Sequence, residues 1–234
     1  MERNKLAEPL FALVGLVDRL RGPDGCPWDA RQTDDSIKMY LLEEAYEVLD
    51  AIEGRSPKEV CQELGDLLFQ ILFLARLAEE REEFDLGDVI EGITKKMINR
   101  HPHVFKGVKV DGPEEVAQNW DRIKKQEKGG DISLSSELQD VPVHLPALLR
   151  AHRLQEKASR GNEIPMNADK SRDRVEKDID GLRETLAVQD DERIGEAIGD
   201  LIFSLVHLAR HWGYNGEHLL RGSNKKFIEN FKKG

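Results

Sequence analysis

Leu6, Leu10, Leu13, Val17 and Leu20 recur at three- and four-residue steps and stop at Arg21-Gly22-Pro23. That spacing predicts one amphipathic helix ended by two helix breakers. A second helix is expected from about Ser36 to Glu53, with Gly54 as its stop. Ser56, Pro57 and Glu59 then form a helix start: a capping serine, a proline at the first helical position and the glutamate of a Ser-x-x-Glu capping box. This third helix should reach about Glu82, and a fourth should run from Leu86 to about Arg100, before Pro102. Beyond the loop 101–113 a shorter helix, Glu114 to Lys128, carries Trp120. Gly129, Gly130 and the Ser/Pro-containing stretch after them read as a linker over 129–145, followed by a second helical block to about residue 232. Apolar alternation never persists and β-branched residues are sparse, so the expected class is all-α.

The second block repeats the first. "ELGDLLFQILFLARLAEE" (63–80) lies over "AIGDLIFSLVHLARHWGY" (197–214), pairing Gly65-Asp66 with Gly199-Asp200 and Ala75-Arg76 with Ala209-Arg210. Upstream, Glu44 and Asp178 each precede their aspartate by 22 residues, and downstream Lys96 lies over Lys226. The chain is therefore expected to hold two tandem helical-bundle repeats, 1–128 and 146–234, joined by the linker.

Polar positions carry the chemistry. Glu44 and Glu47 are three apart on one predicted helix, as are Glu63 and Asp66 on the next. Residues three apart share a helix face, so two antiparallel helices can aim four carboxylates into one space. Between Leu64 and Ala78 the only polar side chains are Asp66, Gln70 and Arg76, which predicts a helix buried nearly all round. Converging buried carboxylates repel and require cations of comparable charge. An all-oxygen ligand set favours Mg²⁺ or Mn²⁺ over zinc. No histidine lies three residues after these glutamates, which argues against a di-iron bundle. No Walker-type loop or Gly-x-Ser-x-Gly elbow offers a rival mechanism.

Composition narrows the partners. The net charge is -10, with hydrophobic residues at 39%, charged at 34% and aromatic at 6%. An acidic chain is a poor scaffold for duplex nucleic acid. Its local basic patches suit a small anionic ligand better than a long polyanion. Two cysteines, Cys26 and Cys61, are too few for a disulfide framework, and no apolar run approaches the roughly 20 residues of a membrane span. The N-terminus lacks the pattern of a signal peptide, so the cytoplasm is the expected location.

"LLEEAYEVLDAI" followed by "ELGDLL", with "GCPWDARQT" before and "NRHPHVF" after, resembles the MazG family of all-α nucleoside triphosphate pyrophosphohydrolases over nearly the whole chain. The resemblance implies Mg²⁺-dependent cleavage of a nucleoside triphosphate between the α- and β-phosphates, giving the monophosphate and pyrophosphate. It places the metal on Glu44, Glu47, Glu63 and Asp66, makes Glu43 the candidate to orient or deprotonate the attacking water, and implies a homodimer. Phosphoryl transfer needs charge neutralisation and alignment more than a protein nucleophile, which suits these residue types. Lys96 and Arg100, four apart on one helix face, are the first candidates for the remaining phosphates, with Lys124 and Lys128 behind them. Trp28 is a candidate to stack on a base, alongside a packing role. His101 and His103 read as loop or phosphate-contact residues.

The second copy departs from the family pattern. Asp178 and Asp200 fill two ligand positions, but Gly181 and Ala197 stand at the other two, and Glu229-Asn230 replaces the expected arginines. A shifted site would have to use Asp180 and Glu196, rotated about 100° per residue around their helices. The first repeat is thus expected to be catalytic and the second to serve assembly or regulation. The competing expectation is a non-catalytic nucleotide-sensing or partner-binding protein.

Overall fold

The computed structural model describes residues 3–127, 129, 133–160 and 167–232. Among them there is no strand, and the chain is all-α. It divides into two compact units, Met1–Ile123 and Lys124–Gly234. No helix among the described residues is long and apolar enough to cross a membrane.

The first unit is built from α1 (Arg3–Arg21), α2 (Asp34–Gly54), α3 (Pro57–Glu80), α4 (Leu86–Arg100), the single turn α5 (Pro102–Phe105) and most of α6 (Pro113–Glu127). Helix α2 begins two residues before the expected Ser36, because Thr33 is the cap. The Thr33 hydroxyl accepts from the Ser36 N–H and the Ser36 hydroxyl accepts from the Thr33 N–H. Gly54, the expected stop, is the last helical residue. The reversal falls on Arg55, which adopts the left-handed conformation at φ 56°. Ser56 then caps α3 by accepting from the Glu59 N–H at 3.3 Å.

Val17 of α1, Ile37 of α2 and Leu72, Phe73 and Leu77 of α3 form the core of this unit, flanked by Leu13, Val14, Tyr40, Phe69, Leu74 and Leu86. Each such side chain contributes roughly 1.5–3 kcal/mol by leaving water. Arg21 joins three segments at the edge of this core. Its guanidinium grips Glu80 of α3 through Nε at 2.8 Å and Nη2 at 2.6 Å, while Nη1 donates to the Asp29 carbonyl at 2.6 Å. The loop carrying Trp28 is thereby fixed to both α1 and α3.

Helix α3 is not buried all round as its composition predicts. One face of its second half is, through Gln70, Leu72, Phe73, Ala75, Leu77 and Ala78, but Leu64, Leu68 and Ile71 are exposed. An apolar stripe fixes which side chains want a partner, and this unit supplies one for only part of the helix.

The second unit comprises α7 (Leu134–Gln139), α8 (Ala147–Arg160), α9 (Ala168–Val188), α10 (Asp191–His211) and α11 (Gly216–Phe231). Within the stretch expected as linker, Leu134, Leu138 and Val141 provide an apolar face; α7 packs on α8 and Val141 is only 2% exposed. Helices α9 and α10 form a hairpin built like that of α2 and α3. Its turn falls on Gln189, left-handed at φ 53° and 134 positions after Arg55, the same offset that separates Asp66 from Asp200. Asp190 then caps α10 as Ser56 caps α3.

Candidate metal site

The α2–α3 hairpin brings the predicted acids together. One carboxylate oxygen from each of Glu44, Glu63 and Asp66 lies within 4.8 Å of the others. Two oxygens bound to one hard cation stand at most about 4–5 Å apart, so the triad comes within reach of a single ion through small side-chain adjustments. Glu47 adjoins the group, near enough for its charge to raise the proton affinities of both Glu44 and Glu63.

The electrostatics agree. The Glu44 carboxyl is held above its ordinary range by burial first, then by the charges of Asp66 and Glu47; a hydrogen bond from Gln70 works the other way, and Glu43 adds a further small push upward. Glu63 is raised by burial, then by the charge and hydrogen bond of Glu47, with Asp66 and Glu44 behind. Like charges disfavour ionisation, and a divalent cation at their centre would reverse the effect. The donor set is all oxygen and half exposed, which fits Mg²⁺ or Mn²⁺.

The other predicted residues are distributed as follows. Glu43 is exposed on α2. Trp28 is 56% exposed, with its ring 6.0 Å from that of Tyr40 on α2. Lys96 and Arg100 lie on α4, which packs on α3. Lys96 is exposed, whereas the Arg100 guanidinium sits over the Trp120 ring at 5.3 Å. His101 packs edge-on against the same indole and its Nδ1 meets the Met97 carbonyl at 2.6 Å, a structural role. Lys124 is exposed near the end of α6, after the division between the units, and Lys128 lies outside the described residues.

At the matching place in the second unit, no metal-spaced acidic group forms among the described residues. The Asp178 carboxylate, only 9% exposed, is engaged from inside its own hairpin: Arg174 Nε approaches at 3.1 Å and the Ser204 hydroxyl donates to it. Asp180, needed for a shifted site, instead pairs with Arg183 at 2.8 Å. The residues that sequence reasoning missed are Gln70, Arg174 and Ser204. Gln70 had one signal, being the single polar residue in an apolar run, and Arg174 had another, standing four before Asp178 on a helix.

A family model for the MazG nucleotide pyrophosphohydrolase domain matches residues 32–105, which span α2, the acidic hairpin and α4. The nucleoside triphosphate pyrophosphohydrolase/pyrophosphatase MazG of Thermotoga maritima is 39% identical over 221 residues, covering 94% of this chain and 83% of its own. The nucleoside triphosphate pyrophosphohydrolase of Escherichia coli K12 is 40% identical over 223 residues, covering 94% and 84%. A crystal structure of a mazG-related protein from Thermotoga maritima aligns with 49% of this chain and 98% of its own, at 28% identity and a TM-score of 0.43. The chain belongs to the MazG family, whose members are hydrolases of phosphoric anhydrides.

Proposed function

We propose that this chain hydrolyses nucleoside triphosphates to the monophosphate and pyrophosphate with little base selectivity, in the cytoplasm, using Mg²⁺ or Mn²⁺ held by the first repeat (1–128). The observation that carries the reading is the convergence of Glu44, Glu63 and Asp66 within one ion's reach. Glu47 completes the ligand set. When bound, the metal supplies charge neutralisation at the phosphates and lowers the pKa of water. Glu43, next to Glu44 in sequence and exposed on α2, orients or accepts a proton from the attacking water in this reading. Lys96 and Arg100 hold the phosphates that become pyrophosphate, with Lys124 and Lys128 as further candidates. Trp28, exposed beside Tyr40, offers a ring face to the base.

The second repeat (146–234) serves assembly or regulation in this reading, since Arg174 already neutralises its remaining buried acid. A homodimer is part of the proposal. Leu64, Leu68 and Ile71 beside the site, and Ile198, Ile202 and Leu205 at the matching positions, are exposed and suited to cover one another between copies.

A panel of nucleoside and deoxynucleoside triphosphates with Mg²⁺, products identified, tests the activity. Wild type should release monophosphate and pyrophosphate and Glu47→Ala should not. Diphosphate plus phosphate would sink the reading, and binding without hydrolysis would establish a sensor instead.

A further inference from the structure

Gln70 interrupts the longest apolar run in the chain. It is buried, at 9% exposure, among the core-facing residues of α3. Its Oε1 is buried without a hydrogen-bond partner. A buried unsatisfied amide oxygen is destabilising, and leucine would avoid that cost. The position lies one helical turn after Asp66, and the Gln70 side chain reaches toward Glu44 of the neighbouring helix, close enough to hold down its proton affinity. With Oε1 unpartnered, the amide nitrogen is the end that faces the carboxylate.

The second unit repeats the arrangement with different side chains. Ser204 stands 134 positions after Gln70 and Asp178 stands 134 after Glu44. Ser204 is 5% exposed and donates to Asp178. Two hairpins that differ in their acids therefore keep a buried donor at the same rung, aimed at the same carboxylate.

We propose that Gln70 is a positioning residue for the metal site: its buried amide fixes the Glu44 carboxylate so that the free lone pairs of that carboxylate face Glu63 and Asp66. Outer partners of metal-ligating groups orient them in this way and raise affinity. The inference rests on the metal reading given under the proposed function.

Mn²⁺ titration of the intact chain, read by calorimetry, tests it together with thermal unfolding of the metal-free protein. Gln70→Met, similar in volume but without a donor, should weaken Mn²⁺ binding by about 10–100-fold while the metal-free melting temperature holds or rises. Unchanged Mn²⁺ affinity overturns the proposal, whether or not the melting temperature falls. Gln70→Leu serves if the methionine variant does not fold. Glu44→Gln separates the two ideas. If it also leaves Mn²⁺ affinity intact, the metal reading itself fails; if it abolishes binding and Gln70→Met does not, only the positioning role fails.

Discussion

Glu44 and Asp178 occupy the same rung of two matching hairpins in opposite electrostatic surroundings. Around Glu44 stand Glu47, Glu63 and Asp66, and all three push its proton affinity upward or crowd the same space. Around Asp178 the two matching positions nearest the turn are Gly181 and Ala197, and Arg174 reaches back from one turn earlier on the same helix. The first hairpin carries Tyr40 where the second carries Arg174. One arginine and one serine hydroxyl suffice for a single buried carboxylate; four converging carboxylates need more charge than any one side chain brings. The difference teaches that the demand for an external cation depends on how many acids share the space, and that removing two of them lets the chain satisfy the rest by itself.

The comparison is broken most severely at the ligands. Glu63→Gln should lower pyrophosphate release by more than the 10–100-fold typical of outer-shell losses. Asp200→Asn, at the matching rung of the other repeat, should leave the rate within about twofold. The reverse outcome in the same assay would move catalysis to the second repeat. Arg174→Ala comes next. It leaves Asp178 in place, nearly buried, with Ser204 alone. Because the arginine itself is 56% exposed, screening limits the loss to about 1–2 kcal/mol, read as a lowered melting temperature with turnover retained.

The smallest effect is a pH dependence of opposite sign in the two repeats. Glu44 and Glu63 have folded-state proton affinities above their ordinary value of 4.5, so without metal the first repeat binds more protons folded than unfolded as pH rises past that value. Its stability should fall across that window, and saturating Mg²⁺ should restore it at neutral pH. In the second repeat His152 and His207 are depressed below 6.5, by burial first and then by the charge of Arg210. Their contribution is present above pH 6.5 and is lost as pH falls. Hydrogen exchange followed separately in α2–α3 and α8–α10 should show the opposed slopes, and Glu63→Gln should flatten only the first. Parallel slopes would remove the electrostatic contrast.

Much of this was legible in the residues. Ser56 marks a helix start by chemistry local enough to read and Pro102 marks an end, whereas the start of α2 lies at Thr33, whose partner Ser36 is the more conspicuous residue. Spacing alone put Glu44, Glu63 and Asp66 on facing helix surfaces. Helices α5 and α7 were not legible, because one turn of helix leaves too few residues for a period to emerge. The exposed face of α3 is illegible for a different reason: apolar character states that Leu64 and Leu68 suit a covered face, but not which chain provides the cover. Arg174 four residues from Asp178 looks like any surface pair until the carboxylate proves to be nearly buried. Gln70 stood out by its type, while the direction of its amide needed the coordinates.

The left-handed residue at the turn has a geometric consequence. Counted outward from Arg55, Glu47 and Glu63 both fall at eight positions, and Glu44 and Asp66 both at eleven. Eleven residues are close to three full helical turns, so the outer pair returns to one azimuth at about 16 Å from the bend on both arms. The same intervals separate Gln189 from Gly181, Ala197, Asp178 and Asp200. The hairpin is a pair of calipers pivoting on one residue. A single amino acid inserted beside the pivot would swing one jaw by about 100° and open the gap without altering any acid.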